Sequence, residues 1–268
     1  MIRKLFLFSG GAFLLSLVCL AGAAALVSNE VGTKGWNIGL IRDGDHIRIG
    51  KGEAGKPEPS TSKTLTWTGG DLLAVDLPAD VVYTQGPAAS VTVTGPQSLV
   101  NRITLDNGRL SITDGPEHRE SVNFTWGKDG FDAQTSHQGA RITVTAPNVK
   151  RFEMTGSGDL DLRGYDQPSI DISIAGSGSV HAVGRTQSLK LNVSGSGSAD
   201  LAALETKDAD VSVNGSGDAT IHASGKAKID ISGSGNVDLA TKPAKLDTTI
   251  SGSGTVDQGE GTNDGADN

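Results

Sequence analysis

From Gly156 onward the triplet Gly-Ser-Gly returns every 18 to 20 residues, beginning at Gly156, Gly176, Gly195, Gly215, Gly233 and Gly252. A period near 20 with β-type sequence between the glycines points to a solenoid, in which each repeat is one coil that buries its core only against its neighbours. Counted from the first glycine of each triplet, the side chains sort into columns with a period of two, the signature of strands. Two residues before it stand Met154, Ile174, Val193, Val213, Ile231 and Ile250; four before it stand Phe152, Ile172, Leu191, Val211, Ile229 and Thr248. Four after it stand Leu160, Val180, Ala199, Ala219, Val237 and Val256. These columns are nearly all apolar and are expected to face inward, with the alternate positions in water.

The outward column five residues before the triplet runs Arg151, Asp171, Lys190, Asp210, Lys228, Asp247, alternating in sign throughout. Strands of a parallel ladder lie roughly 4.8 Å apart, where like charges repel and opposite charges attract, so the alternation predicts rungs stacked in register. The glycines are expected at corners, where φ > 0 carries no Cβ penalty, with the serine hydroxyls bonding from rung to rung. The expected fold is therefore all-β, a parallel β-solenoid of about 19 residues per rung. The general preference of parallel crossovers makes it right-handed.

Outside the repeats, residues 1–25 carry Arg3 and Lys4, an apolar run and an Ala-rich end, the pattern of a signal peptide or, uncleaved, of a membrane anchor. Residues 26–63 read as a polar linker with one short hairpin near Asp43 to Ile49. Residues 64–150 alternate like strands and form the N-terminal part of the solenoid, interrupted by an insertion at 116–139; residues 151–258 hold the rungs, and the Gly-rich acidic tail 259–268 reads as disordered. Cys19 is the sole cysteine, so no disulfide framework is available. A net charge of −8 argues against nucleic acid as a partner.

The segment Leu77-Pro78-Ala79-Asp80-Val81-Val82-Tyr83-Thr84-Gln85-Gly86, then Ser90-Val91-Thr92-Val93-Thr94-Gly95 and Asn107-Gly108-Arg109-Leu110-Ser111-Ile112, followed by the Gly-Ser-Gly rungs, resembles a bacterial family. That family is the putative autotransporter adhesin, head GIN domain. The resemblance covers about residues 64–258. It implies an exported β-solenoid of the cell envelope and carries no catalytic residues.

Few residues suggest chemistry. The glycine corners are followed by strands, whereas a phosphate loop needs a helix. An outward column holds Asp161, His181, Asp200, Thr220, Asp238 and Asp257, and its neighbour holds Asp159, Ser179, Ser198, Asp218, Asn236 and Thr255. The plain expectation is a solvated acidic face; the functional one is a weak divalent-cation site at Asp200, Asp218 and Asp238. The insertion concentrates Phe124, Trp126 and Phe131, which are expected either to cap the solenoid or to form a binding surface. The sequence thus points to an exported, non-catalytic structural or adhesive module of the periplasm or cell surface, without a cofactor, its partner an envelope protein or a glycan. A polysaccharide hydrolase or lyase on a β-helix is the alternative, disfavoured because the returns between rungs are too short to wall a groove.

Overall fold

The structure, a computed structural model, describes residues 59–113 and 139–258 in full, together with the backbone of four strands: Trp36–Asp43, His46–Lys51, Ser121–Gly127 and Gly130–Thr135. It divides into two units, one of residues 1–57 and 116–137, the other of residues 58–115 and 138–268.

In the smaller unit, β1 (Trp36–Asp43) and β2 (His46–Lys51) pair antiparallel with Asp43 opposite His46. The hairpin expected near Asp43 to Ile49 is this pair, and its strands run further than expected, from Trp36 to Lys51.

The larger unit begins with β3 (Ser60–Leu65), β4 (Leu72–Asp76), β5 (Asp80–Gln85) and β6 (Ser90–Pro96). A one-turn helix, α1 (Gln97–Val100), leads to β7 (Ile103–Asp106) and β8 (Arg109–Ile112). Asn107 (φ 48°) and Gly108 (φ 82°) make the tight turn between β7 and β8, the Asn-Gly pair that a two-residue hairpin favours. The insertion supplies β9 (Ser121–Gly127) and β10 (Gly130–Thr135), which join the smaller unit in the order β10-β9-β1-β2.

The chain returns to the larger unit in β11 (Arg141–Ala146) and β12 (Arg151–Gly156) and enters the rungs: β13 (Asp159–Gly176), β14 (Ser179–Gly195) and β15 (Ser198–Gly215). The last rungs are β16 (Asp218–Ala223), β17 (Lys226–Gly233), β18 (Asn236–Leu239), β19 (Lys245–Gly252) and β20 (Thr255–Gln258).

This unit is a parallel β-solenoid of about five turns with about 20 residues per rung. The first glycine of each triplet pairs with that of the next rung, from Gly156↔Gly176 to Gly233↔Gly252. The charged column is in register along its whole length: Arg151↔Asp171, Asp171↔Lys190, Lys190↔Asp210, Asp210↔Lys228 and Lys228↔Asp247. Lys190 lies 3.7 Å from Asp171 and Lys228 lies 3.9 Å from Asp210; Arg151, in register with Leu72, reaches diagonally to Asp71 at 3.0 Å. All these side chains are exposed, so each pair contributes at most about 1 kcal/mol and acts mainly on register.

The inward columns are buried from Phe152 and Met154 to Ile229 and Ile231, and each large apolar side chain so buried contributes about 1.5–3 kcal/mol. In the last rung Thr248 and Ile250 are exposed, Ile250 by 44 %, because no further rung covers them among the described residues. At the other end parallel pairing gives way to antiparallel pairing of β7 with β8 and of β6 with β3 and β11.

All six predicted corner glycines have positive φ, between 106° and 131°. The rung-to-rung bond at the corner is not made by the serine hydroxyl, as the sequence suggested. Instead the serine backbone N–H donates to the first glycine of the rung below, as from Ser177 to Gly156 O (2.9 Å) and from Ser216 to Gly195 O (2.8 Å). The exposed side chain turns to water while the backbone continues the ladder.

Candidate functional site

The structure does not gather the acidic residues proposed for a cation. Asp200 pairs in register with Thr220, and Thr220 with Asp238, so a threonine separates the two carboxylates. Asp218 belongs to the other column, opposite Ser198, and its Oδ1 accepts bonds from the backbone N–H of Asn236 (3.0 Å) and from Asn236 Nδ2 (2.9 Å). Asp200 accepts from the Ala202 N–H (3.2 Å) and lies 3.4 Å from His181 Nδ1. Among the described residues no group of three His, Cys, Asp or Glu side chains converges to hold a metal ion. Alternation between two columns keeps the carboxylates apart, and local donors occupy two of the three.

For the aromatic insertion, the backbone register sets Trp126 opposite Trp36 and Phe131, and Phe124 opposite Ile38 and Ala133. The side chains of Phe124, Trp126 and Phe131 lie outside the described residues, as do residues 1–25 and the tail 259–268.

A depression among the described residues lies elsewhere, at the corner where the strands of the first rungs turn. It has a volume of about 750 Å³ and is lined by Trp67, Asp71, Pro147, Asn148, Lys150 and Pro168, with Gln167 and the Gly69-Gly70 backbone. Trp67 continues the alternation of β3 and packs half-buried against the core. Gly69 makes room for it, since a Cβ there would stand 2.5 Å from Trp67 Cζ2. The Asp71 carbonyl accepts the N–H groups of Lys150 (2.8 Å) and Arg151 (2.9 Å), fixing the start of β4 against the start of β12. Gln167, nine-tenths buried, donates from Nε2 to the carbonyls of Pro147 and Val149, both at 3.2 Å, and so pins the 147–149 turn.

Within the core three rings stack edge to face. Tyr83 and Phe152 have centroids 5.1 Å apart at 69°, and Phe152 and Tyr165 are 6.0 Å apart at 71°. Each tyrosine hydroxyl donates to a carbonyl, Tyr83 to Ala146 (2.8 Å) and Tyr165 to Ser169 (2.6 Å). Burial pushes the Tyr83 phenol up to about 12 and raises Tyr165 as well, so both stay neutral and rigid. A second depression of about 280 Å³, lined by Asp166, Arg185, Thr186 and Gln187, shares Gln167 and Pro168 with the first; the two adjoining depressions are together called the trough.

The charges of the trough are unevenly matched. Asp71 is paired with Arg151, and Asp166 with Arg185 at 2.7 Å; in each case the arginine's hydrogen bond holds the carboxyl below its usual range. Lys150 is a member of neither salt bridge among the described residues, although its charge also helps to lower Asp71.

Residues 71–243 match the family model described as "Putative auto-transporter adhesin, head GIN domain". This chain belongs to that family. Among solved structures it is similar to a putative adhesin from Bacteroides fragilis, with 17 % identity and a TM-score of 0.52 over 75 % of this chain and 97 % of that one. A putative lipid binding protein from Parabacteroides distasonis matches at 18 % identity and a TM-score of 0.44, covering 74 % of this chain and 96 % of that one. A putative adhesin from Parabacteroides merdae matches at 16 % and 0.44, covering 76 % and 97 %. At these identities the likeness concerns the fold. A search of curated proteins finds no match. None of the trough residues had stood out in the sequence; Trp67 was the available signal, an aromatic flanked by threonines and followed by Gly69-Gly70.

Proposed function

We propose that this chain is an exported, non-catalytic module of the cell envelope that attaches to its partner through the corner trough. The observation that carries the reading is a half-buried indole and an exposed lysine lining one depression, with a buried glutamine pinning its wall. Rigid scaffolds with few shaped polar groups in a concavity are the usual form of a binding site. The family's description as adhesins supports the same reading.

The carboxylates speak against glycan cleavage. A glycosidase needs a carboxyl free to donate a proton to the leaving oxygen, whereas Asp71 and Asp166 are each engaged by an arginine. The test is attachment of the purified exported chain to isolated envelope material, with release of reducing ends followed in the same samples. Saturable binding without cleavage is expected. Absence of saturable binding, or cleavage that grows with time, would overturn the reading.

A further inference from the structure

Trp67 and Lys150 line one depression, and neither is fully used by the protein: the indole is half out of the core, and the ammonium lies outside the corner's ion pairs. We propose that the trough holds an acidic polysaccharide, with one hexuronate ring resting on the Trp67 indole, its carboxylate at Lys150, and the glycan continuing past Pro168 toward Gln187. The inference deepens the attachment reading and rests on it.

Three features favour this ligand. An indole face carries negative π density and attracts the apolar, weakly positive C–H face of a sugar ring. The exposed amides of Asn148 and Gln187 each present a donor and an acceptor, which suits hydroxyls that do both. Lys150 supplies the charge that singles out an acidic sugar, because the neighbouring Asp71 and Asp166 are already neutralised by Arg151 and Arg185.

Other occupants fit less well. An extended peptide would add to a free strand edge, but the backbone here is engaged from rung to rung: Lys150 N–H donates to Asp71 O, and Lys150 O accepts from the Asp171 N–H (both 2.8 Å). An acyl chain needs an enclosed apolar cavity, whereas polar and charged side chains interrupt this trough along its length.

The test is calorimetric titration of the exported chain with hexameric galacturonate and hexameric mannuronate, beside neutral cellohexaose and phosphatidylglycerol vesicles. At least one acidic hexamer is expected to bind about tenfold or more tighter than cellohexaose. Lys150→Gln should abolish most of that preference and flatten its dependence on salt. Trp67→Ala should weaken binding of acidic and neutral sugars alike by about tenfold or more, with Trp67→Phe recovering part of the loss. Because Trp67 also packs on the core, the exposed Lys150→Gln variant decides the matter if Trp67→Ala does not fold. The proposal is overturned if neither acidic hexamer binds, if Lys150→Gln binds both unchanged, or if only the vesicles bind. Envelope attachment that persists in a Lys150→Gln variant with unchanged sugar binding would refute the trough and leave the attachment reading standing. Sugar binding without any envelope attachment by the wild type would do the reverse.

Discussion

At Gly215 the backbone φ is 129°, in the region that side chains rarely adopt. At Gly217, two residues on, the constraint is one of space, since a Cβ there would lie 2.5 Å from Gly197 O and 2.6 Å from Val193 Cγ1. The triplet therefore needs its first glycine for φ and for space, its third for space alone, and its exposed serine for neither. Gly215→Val is expected to cost about 3 kcal/mol or more in urea unfolding, and Ser216→Ala about 0.5 kcal/mol or less; equal midpoints would contradict the corner geometry. A second residue-scale effect is the Asp71–Arg151 pair. The arginine's hydrogen bond lowers the Asp71 pKa from 3.8, so its contribution to stability is present above the unfolded value and is lost as pH falls through the lower folded value. The melting-temperature gap between wild type and Arg151→Gln should accordingly be full at about pH 6 and close under acid, below the ordinary aspartate range. A gap that widens on acidification would show that Arg151 acts by some other route.

For single strands and their neighbours, the register of the outward column makes the sharpest claim. Asp210 lies between Lys190 and Lys228, so Asp210→Lys replaces two attractions with two repulsions. A loss of roughly 1 kcal/mol beyond that of Asp210→Ala is expected at low salt, shrinking as salt is added. Identical unfolding of the two variants would refute the ladder as a source of register. This column and the inward ones from Phe152 to Ile231 were legible in the sequence because a solenoid repeats one local environment, so residues at equal offsets meet one another. The same regularity misled the cation reading: Asp200, Asp218 and Asp238 look adjacent when rungs are aligned, yet Thr220 separates two of them and Asp218 belongs to a different column. The segment 26–63 holds the expected hairpin, with longer strands than local alternation suggested. Pairing of β1 with β9, more than 80 positions later, could not be read from local alternation alone.

Across the larger unit, the solenoid is asymmetric. Antiparallel strands close its first end, while Ile250 stands exposed at its last rung. The trough belongs to the early rungs, and no motif announced it: Trp67, Asp71, Asn148 and Gln167 are brought together only because parallel crossovers return the chain to the same corner. Its bracing by Gln167 and the Tyr83–Phe152–Tyr165 stack within the core likewise break the repeat, since no later rung carries aromatic residues in those places. The central claim is that a monotonous scaffold binds at this one irregular corner. Amide hydrogen exchange of the chain, free and mixed with isolated envelope material, tests that claim most directly. Added protection is expected at residues 67–71, 147–151 and 165–169, with the outer faces of β17 and β19 unchanged. Protection confined to the last rungs, with the corner exchanging as in the free protein, would contradict it.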